Sequence, residues 1–470
     1  MTPSAPPLDL AALCAPVLAR HGCPSVSVAV AERGEVVLAG AYGTADTATG
    51  RPATPDTAYA LASVTKPVTA TALCLAADEG LLDLDAPVPL PGGAHPRWPD
   101  PTARQLLCHR GGLGAFYAWE YGDGGPGEHR IDPDAYLTPY REPGSGFEYA
   151  NLGYRLLGQL LERATGQGLG AFVRERVFEP LGLDGCHLGP RYPGPAPAAV
   201  RYTADGHAYP DYGCGHPGAT LGWAPAGELA LFAQSYERLL KPGTAAAMRV
   251  PLPVNDRLGY GLGWCVSHGD GPVILSHGGG GGGVAAITAV VPERELSVAV
   301  LCNTTDKTAR DTLVNELLTA LVPEFTPALI DPATRDPRRP RNLPESAWSG
   351  RVDTPEGPVP LTLRLSADGR AELRLDGGVF TADSAASDRW DLLATFPAQL
   401  PTADARLASP VLALGLRRGG ERLTGVAHAY KNGEGGGRLG NFLSHHCVLD
   451  PLGQDPASTS SARSTSAVEL

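Results

Sequence analysis

Ser63-Val64-Thr65-Lys66 sets a hydroxyl and an amine three residues apart, at the start of an apolar stretch from Thr65 to Gly80 that reads as a helix. Residues i and i+3 share one helix face, so the lysine ammonium can reach the serine hydroxyl. That pairing describes an activated serine nucleophile. The same four residues also fit an ordinary surface helix whose first turn is capped by Ser63. The motif alone is a hypothesis, and its neighbours have to decide it.

Moving outward, Leu152 to Thr165 carries leucines at the spacing of an amphipathic helix and is closed by Gly166, as Gly80 closes the first one. Leu8 to Arg20 reads as an opening helix. Ser25 to Val30 and Glu35 to Gly40 flank a turn at Glu32-Arg33-Gly34, which makes a hairpin. Val284 to Val291 and Leu296 to Leu301 repeat that pattern around residues 292–295. The two hairpins are expected in one antiparallel sheet. Gly122 to Gly127 and Pro190 to Pro217 read as long loops of the kind that shape pockets. Past Leu321 a Pro/Arg-rich connector leads to short alternating runs at Val359 to Leu365, Ala371 to Leu375, Val411 to Leu416 and Arg422 to Ala429. These indicate a small antiparallel β domain between about Trp348 and Leu449. Gly453 to Leu470 is poor in apolar residues and is expected to be disordered.

Composition narrows the function. The 470-residue chain has a formal charge of −12, with acids and bases interspersed, so no basic block exists to neutralise phosphates and a nucleic-acid partner is not expected. Lysine occurs only at positions 66, 241, 307 and 431, which makes a lysine inside an apolar stretch conspicuous. The N-terminal residues show no basic segment followed by an apolar one, and no run of about eighteen apolar residues appears, so a cytoplasmic protein without a membrane partner is expected. Nine scattered cysteines without a C-x-x-C pair read as reduced thiols. No metal site is expected, because there is no H-E-x-x-H and His445-His446-Cys447 is too compact for a tetrahedral cage. No cofactor is expected either.

Two further constellations could complete a serine site, which needs a base, oxyanion donors and a group to orient the substrate. Tyr149 and Asn151 lie in a turn before a helix and can both project into one cleft, although a buried tyrosine with an asparagine cap would look the same. His277 follows the strand-like Val273-Ile274-Leu275 and precedes glycines that run to Gly283. No Gly-Lys-Ser/Thr follows, so a phosphate cradle is a poor reading, and close approach of a ligand to a strand edge explains the glycines better.

In this order, S-x-x-K, Y-x-N and H-x-G resemble the serine β-lactamase and penicillin-binding-protein superfamily, in its class C β-lactamase-like branch. Gly80-Leu81-Leu82-Asp83-Leu84-Asp85, Gln105-Leu106-Leu107-Cys108-His109-Arg110-Gly111-Gly112-Leu113, Pro180-Leu181-Gly182-Leu183 and Tyr260-Gly261-Leu262-Gly263-Trp264 extend the resemblance over roughly residues 10 to 320. It implies an α+β fold: an antiparallel sheet flanked by helices, with a mainly helical subdomain over about 61–270. The expected organisation is a β-lactamase-like domain at 1–330, a linker at 331–345, a small lipocalin-like antiparallel β-barrel at 346–452 and a tail at 453–470. Ser63 would be the nucleophile, with the backbone N–H groups of Ser63 and Gly280 as the oxyanion hole. Lys66 and Tyr149 would share acid/base duty, either one taking the first proton. Asn151 would bind the substrate amide and Lys66, and Gly278 and Gly279 would line the substrate. His277 stands where many β-lactamases carry lysine, and a neutral imidazole there shifts the expectation from β-lactams towards esterases, D-peptidases and transacylases.

Within the superfamily the chain is most similar to the penicillin-binding-protein-type thioesterases of nonribosomal peptide pathways, which pair this domain with a lipocalin-like one. That similarity implies a peptidyl chain taken from a carrier-protein thioester and released as a head-to-tail macrolactam, with a D-residue at the acylated terminus. Arg438 is a candidate to reach the cleft and bind a carboxylate or carbonyl, against the plainer reading of an exposed arginine on a hairpin. Two rivals stand beside this: an esterase or D-amino-acid amidase using water, and a binding module with a silent serine.

Overall fold

A computed structural model describes residues 8–93, 97–121, 131–403, 410–430, 434 and 437–452. The expected Gly122–Gly127 loop and the C-terminal tail lie outside the described residues.

The two hairpins read from sequence do share one sheet. Ser25–Glu32 pairs antiparallel with Glu35–Asp46 on one side and with Leu296–Cys302 on the other. Leu296–Cys302 pairs in turn with Val284–Val291, and further strands extend the sheet to nine. Val26, Val28, Val30, Val298 and Val300 pack one face against the helices Leu10–His21 and Thr308–Leu321. On the opposite face a larger core contains the helices Thr65–Asp78, Asn151–Thr165 and Ala226–Ser235. Both faces being covered explains why these strands are almost continuously apolar.

The glycine run departs from the sequence reading. Leu275–Gly281 is a strand through His277 and four of the glycines, paired residue for residue with Val284–Val291 from Leu275↔Val290 to Gly281↔Val284. Glycine has low strand propensity, so nothing local predicts this; the neighbouring strand supplies the ladder. Small residues are required here because the turn before Thr65 presses on the strand: a Cβ at Gly279 would overlap the Leu61 carbonyl oxygen. Gly279→Ala should therefore cost about 1–3 kcal/mol of stability, as overpacked cores do. Urea unfolding measures this, and an unchanged midpoint would contradict so close a contact.

The C-terminal region is a closed eight-stranded antiparallel barrel, Ser346–Thr354 pairing with Phe442–Pro451 to close it. Trp348, Leu363, Leu373, Phe396, Leu414 and Leu449 are among the side chains of its packed core. The barrel is tied to the first domain at one point that matters for the site. Tyr117 and Phe442 exchange two backbone hydrogen bonds of 2.8 Å each, and Trp119 N–H donates to Asn441 Oδ1 at 3.1 Å. The barrel edge thereby fixes residues 117–119 as a short strand-like segment.

Candidate active site

Ser63 sits in a 3₁₀ turn, Ala62–Val64, immediately before the helix Thr65–Asp78. Ala62 holds the left-handed backbone region at φ 45°, which costs an L-residue energy and is kept only where surroundings over-determine it. Those surroundings are specific. Leu61 N–H bonds the Gly222 carbonyl at 2.8 Å, the Thr65 hydroxyl donates to the Ala62 carbonyl at 2.6 Å, and Gly222 N–H donates back to Thr65 Oγ1 at 2.8 Å. The serine is thus presented by a braced turn rather than a frayed helix end.

Lys66, one residue inside the helix, is fully buried. Its Nζ donates to Asn151 Oδ1 at 2.8 Å and to the Ala219 carbonyl at 3.2 Å, and lies within hydrogen-bonding distance of Ser63 Oγ at 3.2 Å. Burial pushes its pKa well below the ordinary lysine value. Asn151 is the first residue of its helix and Ala150 occupies the N-cap, so the asparagine does not cap. Its amide instead donates to the Phe116 carbonyl at 2.9 Å, which orients Oδ1 towards Lys66. Tyr149 lines the same cavity as Ser63, and Lys66 Nζ lies 4.7 Å from its ring centre. Burial, then the neighbouring Tyr117, raise the Tyr149 pKa well above the phenol value, against the opposing effect of the nearby Ser63 hydroxyl.

His277 borders the same space but both its nitrogens are engaged. Nδ1 lies 2.8 Å from the Gly278 carbonyl, which can only accept, so Nδ1 carries the proton and Nε2 accepts from the Tyr260 hydroxyl at 2.9 Å. Burial, reinforced by Lys66, holds its pKa at about 3. The imidazole is therefore neutral and offers a substrate no positive charge. Ser63, Tyr149, His277 and Gly278 to Gly280 together line a cavity of about 280 Å³. Arg438 is not among its lining residues; its guanidinium lies 5.1 Å from the Tyr121 ring centre.

Several lining residues escaped the sequence reading, Tyr117 and Lys307 among them. Tyr117 contacts Asn151 and is set in place by the barrel edge, a tertiary pairing that no local pattern announces. Lys307 precedes the helix Thr308–Leu321, and its chain lies against Gly280 so closely that a Cβ there would overlap it. Its signal was available, as one of only four lysines. Among the described residues, no group of three or more His, Cys, Asp or Glu is placed to hold a metal ion, and no helix is long and apolar enough to cross a membrane. All nine cysteines are free thiols.

A family model described as Beta-lactamase matches residues 10–321. Esterase EstB of Burkholderia gladioli is 37% identical over 177 residues, covering 33% of this chain and 45% of the relative. A D-aminopeptidase of Brucella ovis is 31% identical over 176 residues, covering 36% and 33%. The chain thus spans less than half the length of these relatives. Among solved structures, SurE superposes with a TM-score of 0.63 at 22% identity, covering 94% of this chain and 98% of that one. The likeness to SurE includes the barrel and is one of fold. With Ser63 and Tyr149 lining one cavity, Lys66 within hydrogen-bonding distance of both Ser63 and Asn151, and the family model spanning the sheet and both helical layers, the chain belongs to the Beta-lactamase family, within the superfamily of serine β-lactamases and penicillin-binding proteins.

Proposed function

We propose that the protein is a serine acyl-enzyme peptidyl transferase that takes a nonribosomal peptide from a carrier-protein thioester and releases it as a head-to-tail macrolactam. Ser63 Oγ attacks the thioester carbonyl and passes its proton to Lys66. The Asn151 and Ala219 carbonyl oxygens can only accept, so they take both hydrogens of the neutral amine and leave its lone pair facing Ser63. The depressed Lys66 pKa favours that neutral form, which makes Lys66 rather than Tyr149 the first base. The Ser63 and Gly280 N–H groups hold the oxyanion, and the departing thiolate leaves with a proton relayed through the Tyr149 hydroxyl. The peptide's own amine then attacks the ester, and the Ser63 hydroxyl is regenerated.

The observation that carries this reading is the bond between barrel and site. Phe442 of the barrel fixes Tyr117, which lines the cavity beside Ser63, so the barrel helps shape a wall against which a folded peptide is to be held and water excluded. Neutral His277 argues against recognition of a β-lactam carboxylate. The relatives add support: one is named a D-aminopeptidase, and SurE has been solved with D-Leu, in keeping with a D-residue at the acylated terminus. Arg438, whose guanidinium lies over the Tyr121 ring, is proposed to act at the outer rim of the cleft. A cytoplasmic location is part of the proposal, since the thioester donor is made there.

The name of the esterase relative favours the second reading, a hydrolase that resolves its acyl-enzyme with water. Incubation with a linear peptidyl thioester separates the two. We expect a product 18 Da lighter than the linear acid, the mass of one water; free acid alone by mass spectrometry would remove the cyclase reading and leave the acyl-enzyme intact.

A further inference from the structure

His109 takes no part in the chemistry just described, yet its conformation is costly. The short helix Ala103–Leu107 ends with Arg110 N–H on the Gln105 carbonyl at 2.7 Å and His109 N–H on the Leu106 carbonyl at 3.1 Å. That bond pattern is a Schellman termination, whose left-handed residue is ordinarily glycine. Here it is His109, at φ 57° and 2% exposed. A buried side chain held at an unfavourable backbone angle calls for a reason in its contacts.

The contacts supply one. The His109 carbonyl accepts Glu148 N–H at 2.8 Å, and its Nδ1 accepts Ala150 N–H at 3.1 Å. One residue thus grips the chain on both sides of Tyr149. Its imidazole also lies against the Tyr149 ring, centre to centre 4.2 Å at 37°, and backs onto Tyr260 at 4.8 Å. Because Nδ1 accepts from an amide, Nε2 carries the proton, and it has no hydrogen-bond partner. The ring is therefore neutral, and burial holds its pKa low.

We propose that His109 is the positioning residue for Tyr149: by gripping the backbone at Glu148 and Ala150 and packing on the tyrosine ring, it holds the phenol against Ser63. The proposal rests on the acyl-enzyme reading above, though not on which acceptor resolves the ester.

The test is the rate at which Ser63 is labelled by a fluorophosphonate in the full-length protein and in four variants. His109→Gly keeps a residue suited to the left-handed angle and removes both the Nδ1 acceptor and the ring. It should label about 100-fold more slowly, the order expected when a reacting group is misplaced by an ångström. His109→Asn tolerates the same angle and restores an acceptor at the Nδ1 position, so it should recover most of the wild-type rate. In a Tyr149→Phe background, adding His109→Gly should slow labelling no further, because two residues acting as a unit are non-additive. Equal labelling of wild type and His109→Gly overturns the role. So does an Asn variant as slow as the Gly variant, or a full additional loss in the Tyr149→Phe background, which would mark a general structural defect. A wild-type Ser63 that fails to label overturns the acyl-enzyme reading itself, and this role with it.

Discussion

Ser63→Ala is expected to abolish fluorophosphonate labelling and to lower turnover of a peptidyl thioester by about 10⁴-fold or more, as loss of a nucleophile does in other serine enzymes. The argument is geometric. Lys66 Nζ lies 3.2 Å from this oxygen and Tyr149 lines the same cavity, the two groups to which the proposed mechanism gives the proton transfers. Cys265 lines the same cavity and is the obvious substitute, but burial raises its pKa to about 12, so at neutral pH it is a thiol and a poor nucleophile. The hydroxyl itself contributes only about 1 kcal/mol to stability, the net worth of one hydrogen bond. The variant should therefore unfold at nearly the wild-type denaturant concentration while being inert. Intact-protein mass spectrometry after labelling reads the first outcome directly. Turnover that survives would transfer the chemistry to another residue and end the Ser63 mechanism.

The same residues show how far the sequence reaches. Both sheet hairpins were legible because β-branched runs flank turns such as Glu32-Arg33-Gly34, where Gly34 takes φ 83°. The pairing of Ser63 with Lys66 was legible because i and i+3 neighbours are set by helix geometry alone. The strand Leu275–Gly281 was not, since its glycines lack strand propensity and owe their state to Val284–Val291. Four of the eight barrel strands were read and four were not. Gly378–Ala385 alternates intermediate with exposed residues rather than buried with polar ones, which erases the period-two signal. Tyr117 and His109 stayed hidden for another reason. Their placement depends on partners far off in sequence, at Phe442 and at Glu148 to Ala150, and a single chain read locally carries no record of such contacts.

Lys66→Met should slow Ser63 labelling by about 10²- to 10⁴-fold, the range that a positioned general base supplies. Methionine matches the lysine stem in length and polarity while removing the amine, so packing within the helix Thr65–Asp78 is retained. Lys66→Arg should not rescue, because a guanidinium stays protonated and has no lone pair to offer. The pH dependence identifies the group. In the proposed mechanism acylation needs the neutral amine, so the wild-type rate should rise with pH through an ionisation well below the ordinary lysine value and be lost as pH falls below it. No imidazole competes for that assignment. His277 and His216 are held at about 3 and His109 is held low, so all three stay neutral throughout the neutral range. The limb should therefore vanish in Lys66→Met and persist in the wild type. If the methionine variant kept both its rate and its pH limb, the proton would have to go to Tyr149, whose buried phenol would then have to ionise against the raised pKa its surroundings impose.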